Sequence, residues 1–372
     1  AAVAAKERSR GEEHVGHCRT SVGLLRFLFR EGEGVPVVAL PGAAGRAEHV
    51  LLEAEVLPSP LLALDWPGSG ESTEAHPRWS TRGLAALIRE VLDAFAWPEV
   101  LVMGHSLGAM VAMHLASEDP RVVGVALLAP TPGLLPCLWA GIWPFPLSGI
   151  LFLIGSALSL CNVCNLHEAS QSDLNCAWLR HGLEAGSLDA GALAAARRTA
   201  LPRAGAPGGA GVWLRRRLGD FAALAAILSH RAPPPPLGWA SSGCLRVALL
   251  WGQQDALVSA RASSLAAELW GWNSATASTG VRAASSRSSG HFLRWGAPVL
   301  LAALLDELCS SAALTPCLGP SALGRALAAP QPLIGATSLA ALGGGACSHH
   351  GRDGMAAIVP AGITAIAAVF FA

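Results

Sequence analysis

"VLVMGHSLGAMVAMHLA", residues 100–116, sets an apolar run against a knot of Gly, His and Ser and then resumes as an Ala/Met-rich stretch. The run Val100 to Met103 predicts a short buried β-strand, and the stretch Leu107 to Ala116 predicts a helix. Between them Gly104-His105-Ser106-Leu107-Gly108 must turn sharply. A serine there is lifted above the end of the strand, and only small neighbours leave room for so tight a turn. With Gly at 41 of 372 positions, a Gly-x-Ser-x-Gly spacing arises readily by chance, so the strand-turn-helix context carries the reading.

The same alternation extends outward. "VGLLRFLFREGEGVPVVALPG" (22–42) contains two short strands around a turn-forming Glu-Gly-Glu-Gly, the second ending at Leu40. "PLLALDWPGSGES" (60–72) holds a buried strand, Leu61 to Leu64, before a Gly/Pro/Ser turn. "STRGLAALIREVLDAFAW" (80–97) places Leu84, Leu87, Ile88, Val91, Leu92 and Phe95 on one helical face. A strand from Val122 to Leu128 follows. Continuous Val/Leu strands separated by helices predict an α/β fold: a mostly parallel central sheet covered by helices on both faces.

After residue 130 the alternation stops. Residues 131–237 carry an apolar stretch (Leu147 to Leu160), an Arg/Gly/Pro-rich run and a Pro-Pro-Pro-Pro connector, which together suggest an inserted helical cap. Alternation resumes in 238–309: "CLRVALLWGQQDALVS" is a strand, Leu245 to Trp251, running into a polar loop. A helix then starts near Ser259 or Ala260, and a closing helix begins at or just before Pro298. Residues 1–21 are expected to be an N-terminal tail. Residues 310–372 form an Ala/Gly-rich tail ending in "MAAIVPAGITAIAAVFFA" (355–372), a weak candidate for a membrane tether.

Composition narrows the function classes. Lys plus Arg (26) balances Asp plus Glu (26), so no global field recruits nucleic acid. At 52% hydrophobic and 14% charged residues, the chain has ample material for a core. The nine cysteines read mostly as buried free thiols. Cys161 and Cys164 form a lone Cys-x-x-Cys with no second pair, and His349-His350 stand alone in the tail, so no metal or cofactor is expected. The chain starts at Ala1, which suggests a processed protein or a fragment. A soluble cytoplasmic or organellar setting is expected, with the C-terminal tether as the alternative.

A serine hydroxyl needs a base to take its proton and a carboxylate to orient that base. Asp255 follows the Leu245–Trp251 strand and His291 precedes the closing helix. Both fall where open α/β sheets carry their sites, at the carboxyl ends of strands. Asp65 is the rival acid. It precedes Ser106 in the chain.

These residues make the sequence resemble the α/β-hydrolase fold family over 22–308, less the insertion. The nucleophile elbow appears as Gly104-His105-Ser106-Leu107-Gly108, the acid loop as Gly252-Gln253-Gln254-Asp255 and the base as Gly290-His291. The Asp-x-Pro-Gly-x-Gly-x-Ser stretch appears as Asp65 to Ser72, and the oxyanion loop as Pro41-Gly42-Ala43. The resemblance implies a serine hydrolase of the carboxylesterase or lipase kind, with Ser106 as nucleophile, His291 as base and Asp255 as orienting acid. The backbone N–H groups of Ala43 and Leu107 would form the oxyanion hole, each worth about 3 to 4 kcal/mol. It also implies that His105 supports the elbow; His114 reads as packing.

Trp139, Trp143, Phe145, Leu151, Phe152 and Ile154 in the cap suggest either an apolar substrate pocket or interface-seeking lid, hence an apolar small-molecule ester or lipid, or ordinary core packing between cap and sheet. The sequence departs from the family in two places, the Arg/Gly/Pro-rich part of the cap and the strand before His291. "SATASTGVRAASSRSSG" before His291 is Ser/Ala-rich where a Val/Ile strand is expected, which puts the placement of the base in question. A non-catalytic ligand-binding protein on the same fold is therefore the alternative. Carbon-carbon hydrolysis, acyl transfer and cofactor-free peroxidation are further reactions open to the same triad.

Overall fold

Val100, Leu101, Val102 and Met103 are all buried, yet they divide between two cores because successive strand side chains point to opposite faces. Val100 and Val102 pack with Val38, Leu62, Val125 and Val247 on one face. Leu101 and Met103 pack with Ala39, Ala63, Ala126 and Ala248 on the other. A strand buried on both sides has no polar face to show, which explains the unbroken Val/Leu runs.

The computed structural model describes residues 13–43, 45–54, 57–69, 72, 80–145, 222–223, 225–236, 239, 246–255, 257–271, 281–287, 289–291, 293 and 297–312. Its strands are β1 (Glu13–Thr20), β2 (Gly23–Arg30), β3 (Val37–Leu40), β4 (Leu61–Leu64), β5 (Val100–His105), β6 (Val122–Leu128), β7 (Val247–Gly252) and β8 (Val281–Ser286). They form one sheet in the order β1-β2-β4-β3-β5-β6-β7-β8. β1 and β2 pair antiparallel, β2 pairs antiparallel with β4, and all later pairs are parallel.

The helices with defined bounds are α1 (Ala47–Glu53), α2 (Thr81–Phe95), α3 (Leu107–Glu118), α4 (Leu134–Trp139), α5 (Ala260–Leu269) and α6 (Pro298–Ala312). Side chains of α2, α3 and α5 contribute to the first core, and those of α1 and α6 to the second. On α2 the expected stripe from Leu84 to Phe95 is buried, and the Ser80 side chain caps the helix by accepting from the Gly83 N–H. Such a cap is worth about 1 kcal/mol.

Three expectations are corrected. Glu13–Thr20, placed in an N-terminal tail, is edge strand β1, paired with β2 along its whole length. Its first three residues are exposed and its apolar content is low, so it gives no buried-strand signal. The Ser/Ala-rich segment before His291 forms β8, in continuous parallel register with β7 from Val281 to Ser286. It is the opposite edge, and only Val281 is fully buried, so small polar residues suffice. The closing helix continues past residue 309 to Ala312.

The ends of the insertion meet beside the sheet. Ala232 N–H donates to the Pro132 carbonyl at 3.0 Å. A Cβ on Gly133 would fall on the His230 carbonyl oxygen. The expected apolar stretch Leu147 to Leu160, the Cys161/Cys164 pair, His349-His350 and the segment 355–372 lie outside the described residues. Among the described residues no helix is long and apolar enough to cross a membrane.

Candidate active site

Because β3, β5, β6, β7 and β8 run parallel, their carboxyl ends share one edge of the sheet. The loops after β3, β5, β7 and β8 bring residues 41–43, Ser106, Asp255 and His291 to it.

Ser106 follows directly on β5 and occupies the N-cap position of α3, with φ 54° and ψ −113°. Positive φ at a residue bearing a Cβ costs of order 1–3 kcal/mol and must be held by its surroundings. Three features hold it. The Ser106 N–H donates to the Leu128 carbonyl of β6 at 2.8 Å. A Cβ on Gly104 would lie 2.2 Å from the Gly108 oxygen, and one on Gly108 would lie 2.1 Å from the Leu40 oxygen. The turn is therefore closed against itself and against the end of β3. The hydroxyls of Ser80 and Ser259 cap their helices, whereas the Ser106 side chain makes no capping bond. Its hydroxyl is not engaged by the helix it begins, and the residue is 7% exposed.

Asp255 and His291 come together across the β7 and β8 ends. His291 Nδ1 lies 2.7 Å from Asp255 Oδ2, with both side chains buried. The other carboxylate oxygen accepts the Leu257 and Val258 N–H groups at 2.8 and 2.9 Å. With Nδ1–H donated to the carboxylate, neutral His291 carries its lone pair on Nε2, the nitrogen a base uses. The two loops are stitched together. Gln253 and Gln254 N–H groups donate to the Ser286 and Ser289 carbonyls, and the Gln253 side chain donates to the Ser285 hydroxyl. A Cβ on Gly252 would strike the Ser289 and Gly290 carbonyl oxygens, so this glycine lets the loops after β7 and β8 close on each other.

His105 ties His291 to the Ser106 turn. Its Nε2 lies 3.0 Å from the His291 carbonyl oxygen, and the two rings sit 4.7 Å apart. Only a protonated Nε2 can donate to a carbonyl. Burial, reinforced by the neighbouring His291, pushes the His105 imidazole down to about 3. This favours the uncharged ring, whose Nδ1 lies 3.6 Å from Glu53 Oε1.

Asp65, the rival acid, is used elsewhere. It is fully buried, accepts from Ala47 N–H at 2.8 Å and from Arg26 Nη1 at 3.2 Å, and belongs to the scaffold of the loop after β3. Ser72 completes that scaffold. Its hydroxyl donates to the Asp65 carbonyl and accepts from the Arg26 N–H. The loop it supports places Gly42 opposite the elbow, where a Cβ would lie 3.4 Å from Ser106 Cβ. Ala43, next along, is half-buried. Leu107 is the first residue of α3, whose N–H has no acceptor within the helix.

Other expected residues are dispersed. Phe145 joins the main core, while Trp139 and Trp143 are 82% and 55% exposed. Leu151, Phe152 and Ile154 lie outside the described residues. His114 packs its ring against His230, which in turn bonds Thr81 Oγ1 through Nδ1 at 3.0 Å. Among the described residues no group of three or more His, Cys, Asp or Glu is arranged to hold a metal ion. Sequence reasoning missed Glu53 and Trp66, both of which reach the site's supporting shell. An acidic residue in an otherwise apolar buried helix face, and the Trp beside the singled-out Asp65, were the signals for them.

Comparison with known proteins agrees with this architecture. A family model described as alpha/beta hydrolase fold matches residues 36–152. The dihydrolipoyllysine-residue acetyltransferase component of the acetoin cleaving system from Pseudomonas putida is 33% identical over 110 residues, 28% of this chain and 30% of that protein. Lipase LipV from Mycobacterium tuberculosis is 39% identical over 92 residues, 24% of this chain and 34% of the lipase. The matches thus span about a third of these relatives' own length. Among solved structures, a mutant of the N-acyl homoserine lactonase AidH superposes with a TM-score of 0.56 at 16% identity, over 82% of this chain and 100% of the lactonase. At that identity the likeness is one of fold.

Proposed function

We propose, on the premise that this chain is an α/β-hydrolase by fold, that it is a serine hydrolase cleaving an ester or related acyl bond through Ser106, His291 and Asp255. One observation carries the reading above the others: the buried His291–Asp255 hydrogen bond of 2.7 Å at the edge of the sheet where the strained Ser106 turn also ends.

In the reaction, Ser106 Oγ attacks the acyl carbonyl while His291 Nε2 takes its proton, and Asp255 stabilises the imidazolium that results. The carbonyl oxygen becomes an oxyanion and is met by the N–H groups of Ala43 and Leu107. The positive end of α3 adds to that field. His291 returns the proton to the leaving oxygen, giving an alcohol and an acyl-enzyme. Water then repeats the sequence, with His291 as its base, and releases the acid. Side chains and backbone groups of this chain carry each step.

The substrate class we assign is an apolar small-molecule ester or lipid. Support comes from the exposed Leu138, Trp139 and Trp143 at the root of the insertion, beside α5. There the Ser259 N–H donates to the Pro144 carbonyl. The formation of β8 favours turnover over the reading of a ligand-binding protein, which drew on the poor strand signal before His291.

Pre-steady-state hydrolysis of p-nitrophenyl esters of increasing chain length tests the proposal. The expected result is a burst of one nitrophenol per active protein, absent in Ser106→Ala. Hydrolysis that persists in Ser106→Ala at the wild-type rate contradicts it.

A further inference from the structure

Trp66 follows β4 and is almost fully buried. Its indole N–H is shared between two consecutive carbonyls of the loop after β3, with Nε1 3.0 Å from the Pro41 oxygen and 3.3 Å from the Gly42 oxygen. The Gly42 oxygen takes a second bond from the Gly45 N–H at 3.1 Å. Among the described residues no peptide bond is cis. In a trans peptide the carbonyl and the following N–H point in opposite directions. Two donors that draw the Gly42 carbonyl toward Trp66 and Gly45 therefore aim the Ala43 N–H the other way.

That direction matters because Gly42 itself lies against the elbow, with its Cβ direction ending 3.4 Å from Ser106 Cβ and 3.5 Å from His105 Nδ1. A peptide next to glycine rotates at little steric cost, and the rotated form would put a carbonyl oxygen where a donor is needed. An acceptor facing a developing oxyanion repels it. Trp66 is in turn fixed at both sides. Asp65 bonds Arg26 and Ala47, the Ser69 N–H donates to the Trp66 carbonyl, and the Ser69 hydroxyl donates to the Gly45 carbonyl.

We propose that Trp66 is a positioning residue that latches the Gly42–Ala43 peptide in the orientation presenting the Ala43 N–H to the reacting carbonyl. This rests on the reading of Ser106 as the nucleophile. The latch acts on the transition state, where the oxyanion exists, and leaves ground-state binding of the ester alone.

The test compares wild type with Trp66→Phe, which keeps a buried aromatic ring and removes the N–H. A second variant carries benzothienylalanine at Trp66, with sulfur in place of the indole nitrogen, and covers the case in which Phe does not pack. Ester hydrolysis and crystal structures are measured for each folded protein. The expected result is a fall in kcat of roughly ten- to a hundredfold with KM within about twofold, together with a rotated Gly42–Ala43 peptide. Unchanged kcat, or an equal loss through KM alone, overturns the latch. If wild type hydrolyses no ester, the reading of Ser106 has failed. The crystal structures then decide the latch by themselves: a rotated peptide in the variants upholds it, and an unrotated one overturns it.

Discussion

The Nε2 of His105 lies 3.0 Å from the carbonyl oxygen of His291, a bond between the residue beside Ser106 and one 186 positions later. It fixes the backbone of His291 and not its ring, so its loss should act on geometry. In His105→Phe the His291 carbonyl stays buried without its donor, at a cost of about 1–3 kcal/mol. We expect the urea midpoint to fall accordingly and kcat to drop at least tenfold. Equilibrium unfolding and ester hydrolysis on the same preparation check both.

Asp255→Asn separates orientation from packing. Asn Oδ1 still accepts the Leu257 and Val258 N–H groups, but its amide nitrogen presents hydrogens to His291 Nδ1. The imidazole then adopts the other tautomer and offers Nε2–H to Ser106. The expected loss in kcat is on the order of 10⁴ with the fold retained, measured by ester hydrolysis beside circular dichroism.

Gly108→Ala places a Cβ 2.1 Å from the backbone oxygen of Leu40, which cannot move without displacing β3. The variant should lose roughly 3 kcal/mol, within the range for overpacked core positions. Thermal unfolding read against Ala109→Gly, which loosens the same helix and deletes a buried methyl but adds no clash, distinguishes the clash from simple helix propensity.

Acid should unfold the protein early. Burial holds His105 and His230 at about 3, and partial burial together with the Arg46 charge holds His49 at about 4, against an ordinary value of 6.5. These groups are neutral in the fold and charged when unfolded, so between pH 6.5 and about 4 the unfolded chain binds more protons. Stability is therefore present above pH 6.5 and is lost as pH falls, by up to about 4 kcal/mol per pH unit near pH 5 for three such groups. Total stabilities are about 5–15 kcal/mol, so a cooperative loss of far-ultraviolet ellipticity is expected above pH 4. A native spectrum at pH 4 would contradict it.

The core strands and the residues at their ends were legible because burial on both faces leaves an unbroken apolar signature. Val100 to Met103, Val122 to Leu128 and Leu61 to Leu64 show it, and the Gly-rich turn after β5 has nowhere else to go. Edge strands obey a weaker rule. β1 and β8 each have one neighbour and a wet face, so Glu13–Thr20 read as tail and Val281–Ser286 as a failed strand. The supporting shell was illegible for another reason. Trp66 bonding to Pro41 and Gly42, and His105 bonding to His291, are contacts between distant segments, and only the strand order β2-β4-β3-β5 brings the first pair together.

The most direct test of the account is labelling with a fluorophosphonate probe, with the modified peptide located by mass spectrometry. The account predicts one label per chain, on Ser106, lost in Ser106→Ala and strongly slowed in His291→Ala. A folded wild-type protein that takes up no label, or takes it up at a residue other than Ser106, would contradict it.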